Sequence, residues 1–206
     1  DAMNRLVSVL DPDSRVTSYS YDAKGNLVQV TDAKAQVTSF AYDSIDRLIS
    51  ATNPFGLVEN FSYDANGSLI STANRNGQTS TFNYDVLNRL TSKTRSPTST
   101  EVGPQVTTFN YNAVGNLISV VDPHSSVTMA YDLANRLTST TVSSPTSPKT
   151  ITYQYDPNGN RTTMTDPQGG VTNYAYDSLN RLTSITNPFA RVTSFNYDAL
   201  GRRTSM

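Results

Sequence analysis

At 206 residues and a net charge of −1, the chain has no electrostatic reason to bind nucleic acid or an anionic membrane surface, and no apolar run nears the roughly 18 residues of a membrane-spanning helix. Zero cysteines exclude a disulfide framework and a thiolate metal site. Only 16% of residues are charged, and 28 Thr, 25 Ser and 19 Asn fill the gap; these residue types suit pleated surfaces and turns rather than helices.

Taken in chain order, one unit repeats. Asp1 to Leu6 reads as a truncated copy, and full copies then carry an aromatic-x-Tyr-Asp signature at Tyr21, Tyr42, Tyr63, Tyr84, Tyr111, Tyr131, Tyr155, Tyr176 and Tyr197, with Asn112 in place of the Asp after Tyr111. The spacing is 21 residues except for intervals of 27, 20 and 24 around Tyr111, Tyr131 and Tyr155. Two residues before each Tyr stands an aromatic, with Met129 the exception, and six residues after it stands Leu, with Arg161 and Arg203 the exceptions. Self-similarity at a fixed period is the signature of a repeat architecture.

Each copy predicts a β-hairpin. Val37 to Tyr42 alternates so that Thr38, Phe40 and Tyr42 share one face, and a second strand starts at the Leu, as in Leu48 to Thr52. Four residues after the Tyr the chain places Gly25, Asp46, Gly67, Asn88, Gly115, Asn135, Gly159, Asn180 and Gly201. These types tolerate a left-handed backbone, so a positive φ is expected there, in a hairpin turn capped by the Asp that follows the Tyr. The opposite connections carry Asx-Pro pairs such as Asp11-Pro12, Asn53-Pro54, Asp122-Pro123, Asp166-Pro167 and Asn187-Pro188, which also suit turns. Two connections are lengthened, at about 94–104 and 142–149, and their Ser, Thr and Pro content predicts exposed, mobile loop tips.

A second period runs through the first. The pair before the Leu alternates between Gly-Asn or Gly-Ser and Asn-Arg or Asp-Arg, so Arg5, Arg47, Arg89, Arg136 and Arg181 recur about every 42 residues. The structural unit is therefore a pair of hairpins. Either a two-hairpin segment was duplicated, or odd and even hairpins meet different surroundings.

The expected fold is all-β: tandem antiparallel hairpins of about 21 residues, paired as about 42, in one array over residues 1–206, with helix confined to a turn or two. Open twisted sheets seldom pass about ten strands without curling, so the sheet is expected to spiral like a solenoid and to pack on itself, burying an aromatic face on which the tyrosines stack as a ladder. The chain opens and closes in mid-repeat, which reads as a piece of a longer polypeptide.

Segments such as Tyr21-Asp22-Ala23-Lys24-Gly25-Asn26-Leu27 and Tyr176-Asp177-Ser178-Leu179-Asn180-Arg181-Leu182 resemble the YD repeat of RHS (rearrangement hotspot) proteins, and the resemblance covers essentially the whole chain. Members of that family include bacterial polymorphic toxins, shell components of insecticidal toxin complexes, wall-associated bacterial proteins and teneurins. The resemblance implies a long sheet spiralling into a hollow shell, often around a C-terminal toxin, with carbohydrate binding credited to some members. Asp166-Pro167-Gln168-Gly169 resembles part of the family's autoproteolytic segment, but it occupies an ordinary turn position and the repeats continue beyond it.

Nothing in the sequence assembles catalytic chemistry. His124 is the only histidine, which removes any histidine triad or zinc set. One turn carboxylate per repeat falls short of the six or more oxygens that calcium takes. The chain is thus expected to be no enzyme and to need no cofactor and no metal. Asn60, Asn66 and Asn160 begin N-glycosylation sequons. The reading is a secreted, extracellular or cell-surface scaffold, the wall of a shell or the shaft of a fibre. Its partners are neighbouring repeats or further copies, and glycans. The alternatives are a surface adhesin or carbohydrate-binding module, and the encapsulating part of a toxin whose effector lies outside this chain.

Overall fold

The computed structural model describes residues 1–144 and 147–205. No helix occurs among them, so none is long and apolar enough to cross a membrane. The chain divides into two compact units, Asp1–Val106 and Thr107 onward. The first contains β1 (Ser8–Leu10), β2 (Val16–Tyr21), β3 (Leu27–Thr31), β4 (Val37–Tyr42), β5 (Leu48–Thr52), β6 (Val58–Tyr63), β7 (Leu69–Ala73), β8 (Thr79–Tyr84) and β9 (Leu90–Arg95). Each pairs antiparallel with the next in sequence.

The boundary between the units falls in β10 (Gln105–Tyr111). The second unit continues with β11 (Leu117–Val121), β12 (Ser126–Tyr131), β13 (Leu137–Ser143), β14 (Lys149–Tyr155), β15 (Arg161–Thr165), β16 (Val171–Tyr176), β17 (Leu182–Thr186) and β18 (Val192–Ser194). These strands also pair in sequence order. A last hairpin joins β19 (Asn196–Tyr197) to β20 (Arg203–Ser205). Strands that pair only with their sequence neighbours are what make a repeat array quasi-one-dimensional.

The 21-residue period has a direct structural origin. A six-residue strand, a five-residue turn, a five-residue strand and a second five-residue turn complete one hairpin unit, as from Val37 to Leu57. Both turns are built alike. In the first, the Asp22 N–H bonds the Asn26 carbonyl and the Gly25 N–H bonds the Asp22 carbonyl, while Asp22 Oδ1 accepts the N–H groups of Lys24 and Asn26. The opposite turn repeats every one of these bonds with Asp32, Lys34, Ala35 and Gln36. An Asx side chain thus stands in for backbone acceptors at both ends of the hairpin. Asp122-Pro123-His124-Ser125 is a shorter four-residue version, in which Asp122 Oδ1 caps the N–H groups of His124 and Ser125; it accounts for the 20-residue interval.

Every hairpin also carries a β-bulge that the sequence did not announce as alternation. Ser20 faces Gln29, but Tyr21 faces Leu27, so Val28 is the extra residue. The same holds for Ile49, Ile70, Thr91, Ile118, Thr138, Thr162, Thr183 and Thr204. All nine are β-branched. The bulge lets Tyr21 and Leu27, and Tyr19 and Val30, share one face although Leu27 and Val30 lie three apart.

Two expectations are corrected here. The aromatic face is not buried: its rings are half-exposed along both units, and among the described residues Ala51, at 6% exposure, is the one buried hydrophobic side chain. Among the described residues no helix occurs and strands make substantial contacts only with their neighbours in sequence, so no second layer lies over the face in either unit. The lengthened connections have exposed tips, as at 97–100 in the first, but their expected bounds run into strands. Thr94 and Arg95 belong to β9, and Val142, Ser143 and Lys149 belong to β13 and β14. Thr and Val extend the ladder where they can, and the Thr141 and Thr150 hydroxyls bond across it at 2.8 Å. Of the second connection, positions 145–146 lie outside the described residues. The first is held by Glu101, whose carboxylate accepts from both terminal guanidinium nitrogens of Arg95 and from the Thr98 N–H.

Candidate functional site: an interlocked ladder of turns

The signature residues converge along one edge of each unit. Eight of the signature tyrosine hydroxyls donate to a backbone carbonyl of the preceding hairpin. Tyr21 bonds Leu6, Tyr42 bonds Leu27, Tyr63 bonds Leu48 and Tyr84 bonds Leu69, at 2.8 to 3.0 Å. In the second unit Tyr131 bonds Leu117, Tyr155 bonds Leu137, Tyr176 bonds Arg161 and Tyr197 bonds Leu182, at 2.8 to 3.1 Å. The phenol column and the Leu column are two halves of one repeated contact. It uses the Leu carbonyl, so Arg161 keeps it despite the changed side chain.

The 42-residue period lies in what joins one turn to the next. Arg47 Nε donates to Asp43 Oδ2 at 2.7 Å within its own turn. Its guanidinium carbon sits 4.7 Å from the Tyr63 ring centre, and its Nη1 donates to the Asp64 carbonyl at 3.0 Å. Arg5 and Arg136 repeat all three contacts toward Tyr21 and Asp22, and toward Tyr155 and Asp156. Arg181 pairs with Asp177 and stacks on Tyr197. The following, Gly-type turn then passes the connection onward by a different bond. Asn26 Nδ2 donates to Asp46 Oδ1 at 2.8 Å, Asn116 to Asn135 at 3.0 Å and Asn160 to Asn180 at 2.7 Å, while the Ser68 hydroxyl bonds Asn88. Odd and even turns are therefore unlike partners in one chain of contacts.

The left-handed column divides the same way. Gly25, Gly67, Gly115 and Gly159 have φ of 99°, 89°, 98° and 91°, whereas Asp46, Asn88, Asn135 and Asn180 have 66°, 60°, 60° and 59°. The first group lies beyond the usual left-handed well, where only glycine is free of strain. The second presents the side chain that the preceding Asn or Ser grips.

The turn carboxylates are committed. Asn26 and backbone N–H groups hold Asp22 below the ordinary carboxylate range. The Arg47 N–H and guanidinium do so for Asp43, and Arg136 and Arg181 act likewise on Asp132 and Asp177. The Arg95 fork lowers Glu101 to about 2. Carboxylates used this way leave little for a cation, and no group of three His, Cys, Asp or Glu side chains suited to a metal occurs among the described residues. His124 lies exposed in its short turn, and Asp166 caps the N–H groups of Gln168 and Gly170. Of the sequon residues, Asn60 and Asn66 are exposed, while Asn160 Nδ2 is bonded to both Asp156 and Asn180.

The local Arg–Asp pairs follow from their four-residue spacing. The stacking of Arg5, Arg47, Arg136 and Arg181 on the next tyrosine gives the alternation of Arg-type and Gly-type turns a physical meaning that the alternation alone does not carry.

Comparison with known proteins agrees with this repeat geometry. A family model described as Teneurin YD-shell matches residues 59–205, and one described as RHS Repeat matches residues 1–37 and 21–58. The chain belongs to the RHS/YD-repeat family. Among curated proteins none matches this YD-repeat chain. Among solved structures it is similar to a crystal structure of TcdB2-TccC3-TEV, with a TM-score of 0.68 and 16% identity over 96% of this chain and 12% of that one. It is also similar to the Tc holotoxin pore of Photorhabdus luminescens, with a TM-score of 0.64 and 19% identity over 94% of this chain and 13% of that one. For TcdB2-TccC3 the values are 0.62 and 19%, over 94% and 14%. These likenesses concern the fold, and the YD-repeat chain spans only 12 to 14% of the structures it matches.

Proposed function

We propose that the chain is a non-catalytic structural scaffold, a stretch of extracellular or cell-surface shell wall that belongs to a longer YD-repeat polypeptide. The observation that carries this reading is the ladder itself. Tyrosine, arginine and Asx side chains, the residues that chemistry would need, are spent on fastening each hairpin to the next. Each contact is modest, about 0.5–1 kcal/mol for a partly exposed cation–π pair and about 1 kcal/mol for a neutral hydrogen bond. Repeated along each unit, they add stability without a deep core, as nearest-neighbour terms do in other repeat arrays. Encapsulation of an effector outside this chain fits the same wall.

Electron cryo-microscopy of the full-length polypeptide tests the proposal. A continuous β-wall that includes these hairpins is the expected result. Density in which they form an isolated domain beside a separate catalytic body overturns it. A second reading, a glycan-binding surface module, is favoured by the half-exposed aromatic face, since ring faces suit sugar stacking. A glycan array probed with the chain decides it: saturable binding supports that reading, and silence across the array removes it.

A further inference from the structure

We propose that Arg161 is the centre of an oxyanion-binding site on the aromatic face of the second unit, shaped for a carboxylate or phosphate group. Arg161 opens β15 at a position where seven other hairpins place Leu. Its guanidinium carbon lies 4.5 Å from the ring centre of Tyr174 on β16 and 5.7 Å from that of Tyr153 on β14. The cation is therefore walled on both sides by rings from the two strands that pair with its own.

What sets Arg161 apart is what it lacks. Arg5, Arg47, Arg136 and Arg181 each hold a carboxylate at about 2.7 Å. The Arg161 guanidinium makes no hydrogen bond or ion pair with any described residue; the residue's backbone carbonyl accepts the Tyr176 hydroxyl. The nearby Asp156 carboxylate is occupied by the Asn160 N–H and side-chain amide. The Tyr153 and Tyr174 hydroxyls also lack a partner among the described residues, and six of the nine hairpins place Phe or Met at their position. A half-buried cation with five free N–H donors, flanked by two phenols, thus stands on the aromatic face where other hairpins carry a leucine.

Planar guanidinium donors match the two oxygens of a carboxylate or phosphate, and such charge-assisted bonds are the strong ones. The flanking rings restrict the side chain before a ligand arrives, so less ordering remains to be done on binding. Because the backbone contact with Tyr176 needs only the carbonyl, Arg161→Leu restores the residue of the other repeats and is expected to fold.

The test is a titration of the isotope-labelled chain with acetate and, separately, inorganic phosphate, against chloride at matched ionic strength. NMR follows the Arg161 Nε–Hε signal and the Tyr153 and Tyr174 rings. The expected result is a saturable shift with at least one oxyanion, beyond that with chloride, and its loss in both Arg161→Leu and Arg161→Gln. Saturation by acetate alone identifies a carboxylate ligand, and by phosphate alone a phosphate ligand. No saturable shift with either, or the same tyrosine shifts retained in both variants, overturns the proposal.

Discussion

A left-handed backbone falls on alanine at two places, Ala35 with φ of 59° and Ala190 with 58°. Equivalent turns use Gly56, Gly77 and Gly169, so nothing in the turn requires a β-carbon. A left-handed L-residue costs about 1–2 kcal/mol, and glycine gives back about 0.5–1 kcal/mol through unfolded-chain entropy. Ala35→Gly and Ala190→Gly should each stabilise the chain by about 0.5–1 kcal/mol; urea unfolding midpoints that stay level or fall would contradict this. Gly67 is the reverse case. At φ of 89°, Gly67→Val should cost about 1–3 kcal/mol. Gly67→Asn should cost less, because asparagine tolerates a left-handed backbone far better than a β-branched residue does, and the space at the site, with only the end of the Arg47 side chain at 3.9 Å, admits either β-carbon. Hydrogen exchange on the hairpin from Val58 to Ala73 separates the two variants, and equal protection in both would refute the strain argument.

Among elements, the hairpin contacts are separable by mutation. Tyr63→Phe removes only the bond to the Leu48 carbonyl and should cost about 1 kcal/mol. Arg47→Leu removes the Asp43 pair, the Tyr63 stack and the bond to the Asp64 carbonyl together. In a nearest-neighbour array that loss is local, so amides of β6 and β7 should exchange faster while those of β2 and β3 keep their protection. Uniform loss across all four strands would mean that the unit opens as one body. The hairpins, their ends and their turn capping were legible in the sequence, because alternation and Asx or Gly at fixed offsets are local signals. The bulge was not. A β-branched residue after Leu reads as ordinary strand, and only the pairing of Tyr42 with Leu48, not Ile49, reveals the extra residue.

For the whole molecule, pH is the sharpest lever. The turn carboxylates Asp22, Asp43, Asp132, Asp156 and Asp177 are all held below the ordinary range by amide and guanidinium donors. A carboxylate with a depressed folded-state value adds stability that is complete above its unfolded value, near 4, and is lost as pH falls through the folded value. Thermal unfolding followed by circular dichroism should thus be level from pH 7 to 5 and drop progressively below about pH 4. A midpoint unchanged at pH 2 would show that these bonds contribute nothing net.

The sequence by itself determined the repeat, its register, the left-handed turn positions and the all-β class, since each depends on residues close together in the chain. Only the tertiary structure decided the rest: that the aromatic face stays half-exposed, that Arg5, Arg47, Arg136 and Arg181 each stack on the tyrosine of the next hairpin, and that Arg161 stands between two rings. Those contacts join residues about 8 to 20 positions apart. They depend on how neighbouring strands pair and where each bulge turns a side chain, which no local pattern encodes.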